Sequence, residues 1–373
     1  MKIGILTYHR SHNYGAYLQA YALSHSLHDI FTDAEIEIID YDTVHSHNEY
    51  LIRILKAGRL PGVPYYLQEY RAFQKAQKKL PLSPKHLISN DLNDFVATFK
   101  GEYDLIVVGS DQVWVTHGMR GFPNAFWLPG DMGAKKMSYA ASSRSELTKL
   151  PLYKQELLNT YVNDFLYVGV RDEITRYEIQ KFLKTGKKAN INPDPVFSWD
   201  FGDLRLKGES LLREKFGIKP NEKAMGIMIT KITNAQKIIE VAVANGYVPV
   251  ALYKRQRGAR NAVLDPFEWA AVIAALDGLV TSFFHGMCFA IKYDTPFIAF
   301  EERKTTLERS KMYDLLSRID HCELFCSEKD DVEHAIVTSV IENRADFIKV
   351  RTYLYKLFLE SMQLAKDLVL QGD

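Results

Sequence analysis

The sequence predicts an α/β protein of two Rossmann-like domains facing each other across a cleft, with a C-terminal helix packing back on the body. Three observations predict it. Short β-rich apolar runs alternate with helical patterns twice along the chain, as parallel βαβ units require. A Pro- and Gly-punctuated passage, "NINPDPVFSWDFGD" at 190–203, separates the two alternations. The length of 373 residues exceeds the about 100–200 residues usual for one domain.

The first alternation opens on "KIGILTY", a buried strand within 1–8. The turn "HRSHN" follows, then a helix over 14–27 with Ala16, Ala20, Leu23 and Leu27 on one face and Asn13 as its N-cap. "EIEIID" at 35–40 is the next strand and completes a βαβ unit. Residues 45–100 are charged, helical and aromatic, broken by Pro61, Pro64, Pro81 and Pro84, and read as a helical insertion that packs on or lids the first domain. The strands "YDLIVVGSDQVW" (103–114), "KKMSYAASS" (135–143) and "FLYVGVRDE" (165–173) return to the sheet, each leaving it through polar residues. Ligands of open α/β sheets bind outside the carboxyl ends of the strands, so these exits point to one shared site.

The second alternation runs strand 224–230, helix 233–244, strand 247–253, helix 266–276, strand 278–283, helix 285–292 and strand 296–300. Phe347, Val350, Leu354, Leu357 and Phe358 then recur at helical spacing, which favours docking on the body over lying on a membrane surface. The expected domains are 1–200, 201–345 and a C-terminal helix at 346–373. Two such domains make a glycosyltransferase-B-like architecture, and a fold of this kind leaves function to its site.

Composition excludes several classes. With 47 Lys and Arg against 46 Asp and Glu, the net charge of +1 gives no global attraction to nucleic acid or an anionic membrane. Cys288, Cys322 and Cys326 are too few for a disulfide framework, and His321, Cys322 and Cys326 lack a second ligand pair for zinc, so no metal is expected. The first apolar stretch is too short for a signal peptide, and charges such as Asp277 interrupt every long apolar run; a cytoplasmic protein without a transmembrane segment is expected.

Neither GxGxxG nor a Walker A lysine loop is present. The turn "HRSHNYGAYLQ" opens a helix whose first N–H groups can hold an anion or a hydroxyl, or it is simply a capped helix start with His9 and His12 at the surface. In "VVGSDQVW", Ser110, Asp111 and Gln112 offer donors and an acceptor at a strand end, and Trp114 offers a flat face for a sugar ring; alternatively Asp111 caps a helix. Arg171 leaves "YVGV" with a fork suited to carboxylate or phosphate, or pairs with Asp172, Glu173 or Asp194. Lys231 is a similar cation in the second domain, while Lys254, Arg255, Arg257 and Arg260 read as a solvated loop. His285 lies at a strand-to-helix junction, where an imidazole can shuttle a proton beside an anion-favouring helix terminus, or it is a satisfied core histidine. Gly286 beside it lets a ligand approach the backbone.

"NYGAYLQAYAL", "DLIVVGSDQVW", "MSYAAS", "VGVRDE", "NPDPVF" and "LVTSFFHGMCFAIKYDTPFIAF", in that order, resemble the polysaccharide pyruvyl transferase family from residue 1 to about residue 320, the insertion apart. The resemblance implies transfer of the enolpyruvyl unit of phosphoenolpyruvate to a sugar as a cyclic ketal, releasing phosphate, with no cofactor beyond that donor. It implies His285 as the catalytic acid/base or phosphate contact and Arg171 as a donor anchor, and Lys231, Ser282 and Gly286 join the donor side by their positions at the strand exits. Asn13, Tyr14, Gly15, Ser110, Asp111, Gln112 and Trp114 would line the acceptor side, in the first domain. The implied partner is a sugar or glycan precursor, with peripheral contact to a membrane-bound glycan assembly and homo-oligomers both open. Relatives carry Ser-Phe-His-Gly or Arg-Leu-His where this chain has Ser282, Phe283, Phe284 and His285. Phe283 thus stands where a branch supplies an arginine, and Arg144 is an alternative cation. The competing expectations are a glycosyltransferase of the same fold, with Glu301 or Glu302 on a nucleotide's ribose, and a non-catalytic sugar-binding subunit.

Overall fold

A computed structural model describes residues 1–48, 63–117, 121–303, 306, 310–342 and 346–371. The chain forms two compact units, Met1–Trp199 with Leu354–Asp373, and Asp200–Tyr353.

The first unit is built on strands β1 (Lys2–Leu6), β2 (Glu35–Asp42), β3 (Leu82–Ile88), β4 (Leu105–Val108), β5 (Lys135–Ala141), β6 (Tyr167–Val170) and β7 (Ala189–Ile191). They form one sheet in the order β3-β2-β1-β4-β5-β6-β7, and every neighbouring pair is parallel. A parallel sheet covered on both faces needs strands that are apolar throughout, and "LIVV" of β4 is buried at every residue. Helix α1 (Tyr14–Ile30) starts at Asn13, whose side chain accepts from the Ala16 N–H.

The expected insertion is corrected by this sheet. Residues 49–62 lie outside the described residues, and α2 (Val63–Gln77) is a helix as expected. Leu82–Ile88, however, is an edge strand in parallel register with β2, followed by helix α3 (Leu92–Phe99). Pro81 and Pro84 read as breakers because proline cannot serve a central strand, but the edge of a sheet tolerates it. The run over 103–114 ends in a polar turn as expected: β4 stops at Val108, Gly109 (φ 120°) and Asp111 (φ 84°) turn the backbone, and Asp111 keeps one parallel bridge to Ala141. A Cβ on Gly109 would lie 2.1 Å from the Tyr139 carbonyl oxygen, so no other residue fits there. Helices α4 (Leu152–Asp164) and α5 (Glu173–Gln180) complete the alternation on either side of β6.

In the second unit, α6 (Arg205–Phe216) precedes β8 (Lys223–Met228), α7 (Ile232–Ala244), β9 (Tyr247–Ala251), the short β10 (Arg260–Asn261), α8 (Pro266–Ala275), β11 (Gly278–Thr281), α9 (Phe284–Tyr293) and β12 (Phe297–Glu301). Helix α10 (Lys311–Arg318), β13 (Phe325–Ser327) and α11 (Val332–Ile336) follow. The sheet order is β10-β9-β8-β11-β12-β13, again parallel throughout. Asp265, Pro266 and Glu268 start α8 through a reciprocal capping box.

Helix α12 (Ile348–Leu370) buries Leu354, Phe358, Met362, Ala365 and Val369, one stripe of an amphipathic helix. That stripe docks on the first unit: Phe358 meets the Tyr139 ring edge-on at 5.9 Å, and the Lys135 and Lys366 ammoniums donate to the carbonyls of Val369 and Ile30, each at 2.7 Å. No helix among the described residues is long and apolar enough to cross a membrane.

Both sheets reverse direction of growth at an identifiable point, between β1 and β4 in the first unit and between β8 and β11 in the second. Crevices outside the carboxyl ends of strands at such a switch point are where open α/β sheets bind ligands.

Candidate active site

In the second unit the switch point brings together Thr230 and Lys231, which follow β8, and Ser282, Phe283, Phe284, His285 and Gly286, which follow β11. His285 sits in the first turn of α9 and is 7% exposed, with the Phe284 ring edge-on to it at 5.6 Å. Phe283 is the N-cap residue and lays its ring 4.3 Å from that of Tyr253, which follows β9. Its N–H donates to Thr281 Oγ1 at 3.1 Å.

Behind this turn stands Glu302, from the end of β12 and 3% exposed. Its Oε2 accepts from the Thr230 N–H (2.7 Å), the Thr230 hydroxyl (2.5 Å) and the Ser282 hydroxyl (2.7 Å). Its Oε1 accepts from the Lys231 N–H at 2.8 Å and from the Asn234 amide at 3.3 Å. Burial pushes this carboxyl up, but the hydrogen bonds from Thr230, Lys231 and Ser282 outweigh it and hold the group below the usual glutamate range. The chain thereby places its own anion at the start of α7, where the helix terminus favours one.

In the first unit, Arg171 emerges from β6 with its guanidinium buried between two carboxylates, donating to Asp194 at 2.9 Å and to Asp111 at 3.2 Å. Burial would lower its pKa, yet the attraction of Asp111, Asp194 and Asp172 raises it further above the ordinary arginine value. Asp172 caps α5 through the Thr175 N–H at 2.9 Å and accepts from the Ser142 hydroxyl at 2.5 Å. The exits of β4, β5, β6 and β7 are thus bound by a buried ionic and hydroxyl network.

The sequence over residues 13–303 matches the polysaccharide pyruvyl transferase family. This chain belongs to that family. It is therefore a transferase that acts on polysaccharide. No curated protein matches the sequence. Among solved structures, the pyruvyl transferase-family chain is similar to a UDP-GlcNAc 2-epimerase from Neisseria meningitidis bound to UDP-GlcNAc, with a TM-score of 0.52 and 11% identity over 100% of both chains. It is similar also to the UDP-GlcNAc 2-epimerase of Methanocaldococcus jannaschii, with a TM-score of 0.55 and 9% identity over 98% of this chain and 100% of that one. At such identities the likeness shows the two-domain Rossmann-like fold and nothing of substrate.

Several residues expected to meet ligands serve the packing of this family member instead. Trp114 is fully buried, stacked on Trp127 at 5.0 Å and 12°, with its N–H given to the Phe126 carbonyl at 3.0 Å; it has no face for a sugar. Ser110 is fully buried and its hydroxyl donates to Gln19 Oε1, while Gln19 Nε2 donates to Thr7 Oγ1 at 3.0 Å, a network that locks α1 to the ends of β1 and β4. Tyr14 is 8% exposed, tilted against Phe73 of α2 at 5.0 Å, and Gly15 is buried beside it. Asn13 spends its side chain on capping α1. Among the described residues Asp111 caps no helix; its Oδ1 accepts from the Gln112 N–H and from Arg171. The Gln112 carbonyl accepts the Tyr8 hydroxyl at 3.1 Å.

On the donor side, Arg171 holds carboxylates of its own chain, the alternative weighed from the sequence. Lys231 is half-exposed and its ammonium meets Glu328 at 2.5 Å. The Ser282 hydroxyl is given to Glu302. Gly286 serves packing: a Cβ there would lie 2.5 Å from Thr281 Oγ1 and 2.9 Å from Met228 Sδ, so its bareness lets α9 seat on β8 and β11. The ribose role imagined for Glu301 or Glu302 is pre-empted as well, because Glu301 accepts from the Ser310 hydroxyl at 2.8 Å and the Arg303 N–H at 3.1 Å, and Glu302 is occupied as described.

Sequence reasoning missed a cluster around Asp40. Asp40, 4% exposed in β2, accepts from His9 Nε2 (3.0 Å) and His86 Nδ1 (2.9 Å), and Arg10 grips both its oxygens at 2.5 Å. Burial pushes the Asp40 carboxyl up, and the hydrogen bonds and charge of His9 and Arg10 reverse that and hold it far below the ordinary range. The one available signal was Asp40 directly after the apolar pair Ile38 and Ile39 in the strand "EIEIIDYD", since a carboxylate carried into a sheet demands buried partners.

Proposed function

We propose that the protein transfers the enolpyruvyl unit of phosphoenolpyruvate to two hydroxyls of a sugar in a polysaccharide precursor, forming a cyclic ketal and releasing phosphate, in the cytoplasm before export. Membership of the polysaccharide pyruvyl transferase family over residues 13–303 carries this reading. The position of His285, buried in the first turn of α9 at the switch point of the second sheet, supports it.

In this reading His285 in its acid form gives a proton to the methylene carbon of the donor. A sugar hydroxyl adds to the cationic carbon that results, and its proton passes to the imidazole. Phosphate departs with its C–O electron pair, the second hydroxyl closes the ring, and its proton leaves with the phosphate. The N–H groups at the start of α9 favour the donor's anionic end. The reaction as written draws on no cofactor. Glu302 fills the start of α7, which leaves α9 as the helix terminus for that task.

Phosphate release from phosphoenolpyruvate in the presence of soluble glycosides tests the proposal. His285→Ala is expected to lose about 100-fold or more, the share of an acid/base group, in a protein that circular dichroism shows to be folded. Saturating phosphoenolpyruvate should stabilise the wild type, by about 2.7 kcal/mol at a hundredfold excess over Kd. Stabilisation by a nucleotide sugar and none by phosphoenolpyruvate would sink the reading in favour of glycosyl transfer.

A further inference from the structure

The cations expected on the donor side are spent on carboxylates of their own chain, Arg171 on Asp111 and Asp194, Lys231 on Glu328. The second unit holds another set. Between Glu240 and Asp265 the chain has no acidic residue, and it carries Lys254, Arg255, Arg257 and Arg260, all exposed, in and just after the loop that joins β9 to β10. Lys254, Arg257 and Arg260 make no ion pair among the described residues. Four cations gathered without a carboxylate raise a local positive potential that draws an anion.

The backbone that carries them is pinned. The Leu252 N–H donates to the Ile227 carbonyl at 3.1 Å. Gln256, buried among exposed neighbours, donates its N–H to Asn261 Oδ1 at 2.8 Å and its side-chain amide to the Ile229 carbonyl at 3.5 Å. Asn261 returns its own amide to the carbonyls of Gln256 at 3.0 Å and Ala259 at 2.6 Å. Cations presented from a fixed backbone lose less freedom on binding. An aromatic contact ties this loop to the turn before His285. The Tyr253 ring lies 4.3 Å from that of Phe283, the N-cap residue of α9, and the Lys254 ammonium stands 5.1 Å from the centre of the same Tyr253 ring. One ring thus separates a cation from the N-cap of α9. Phe283 puts no side-chain acceptor on that terminus, whereas the start of α7 already holds Glu302. A phosphate monoester carries about 1.5–2 negative charges near pH 7 and three acceptor oxygens, which an ammonium and guanidinium forks meet together.

We infer that the loop carrying Lys254, Arg257 and Arg260 binds phosphate at the candidate active site, with Lys254 beside Tyr253 as the inner contact of a phosphoryl group and Arg257 and Arg260 as outer cations that draw it in. That the phosphoryl group is the donor's rests on the pyruvyl-transfer reading; that the loop takes phosphate does not.

Titration calorimetry on the full chain tests it, with inorganic phosphate, phosphoenolpyruvate and uridine diphosphate as probes. Lys254→Met should weaken inorganic phosphate about tenfold, the size of one charge-assisted hydrogen bond, and raise the KM for phosphoenolpyruvate to match with little change in kcat. Lys254→Arg should retain most of the affinity. The triple variant Lys254→Met, Arg257→Gln, Arg260→Gln should abolish binding in a protein that circular dichroism shows to be folded. Lys207→Met, Arg213→Gln and Lys219→Met together remove the same charge on and just after α6, from exposed positions, and should leave binding unchanged. Undiminished affinity in the loop triple variant, an equal loss in the α6 variant, or binding of none of the three probes overturns the phosphate loop. Loop-dependent binding to phosphatidylglycerol vesicles with none of the small phosphates bound would overturn it in favour of a membrane surface. Loop-dependent binding of uridine diphosphate with none of phosphoenolpyruvate would instead defeat the pyruvyl-transfer reading and leave the phosphate loop standing.

Discussion

Glu302 accepts the Ser282 hydroxyl at 2.7 Å, and the same carboxylate takes the backbone N–H groups of Thr230 and Lys231. One side chain at the end of β12 therefore ties the exit of β8 to the exit of β11, immediately before His285. The geometry of the turn that precedes His285 is set from a third strand, far from it in sequence.

Replacing Glu302 by Gln keeps the size and removes the charge. An amide must also turn one nitrogen toward donors, so a pair of buried donors loses its acceptor. The expected cost is about 1–3 kcal/mol in urea unfolding. Phosphate release should fall mainly through kcat, because the His285 turn loses its tether. A Glu302→Gln protein with native kcat would show that the turn holds its place without the carboxylate.

Gly286→Ala drives a Cβ to within 2.5 Å of Thr281 Oγ1 and 2.9 Å of Met228 Sδ. Overpacking of this kind costs about 1–3 kcal/mol, which calorimetry would read as a lower melting temperature. An unchanged melting temperature would restore ligand approach as the reason for this glycine.

Arg171→Ala leaves Asp194, whose side chain is 0% exposed, without its cation. Breaking a buried pair from one side costs about 3–5 kcal/mol, so this variant should lose stability before it loses donor affinity. Denaturation midpoints measured alongside the KM for phosphoenolpyruvate separate the two. A stable Arg171→Ala with a greatly raised KM would make Arg171 a donor contact.

The Asp40 cluster predicts a pH dependence. The folded carboxyl lies well below its unfolded value, so its stabilisation is complete above the unfolded pKa of about 4 and is lost as pH falls through the folded value. Asp40→Asn, facing His9, Arg10 and His86, should be less stable at neutral pH by a few kcal/mol, about the size of such a shift, and the gap to wild type should close as pH falls below about 4. Equal acid limbs in the two proteins would remove the cluster from the account.

Lys292 behaves in the opposite sense to a paired lysine. Burial pushes its amine down to about 8, against the pull of Asp200 and with the push of Arg351. Above that pH the folded protein holds fewer protons than the unfolded chain, so stability should rise from pH 8 toward pH 10 relative to Lys292→Met. Urea midpoints across that range check the sign.

The sequence by itself determined the alternating α/β elements, the parallel sheets, the docking face of the last helix and the family, because these depend on local periodicity and on motif order. The strand-to-helix junction at His285 was legible for the same reason. Tertiary structure alone decided which polar residues at strand ends are spent on their own chain. Trp114, Ser110 and Arg171 look available in a line of text, but their partners Trp127, Gln19 and Asp194 arrive from other elements. The edge strand at Leu82–Ile88 was hidden because its prolines report the tolerance of a sheet edge, and edges exist only once strands are ordered.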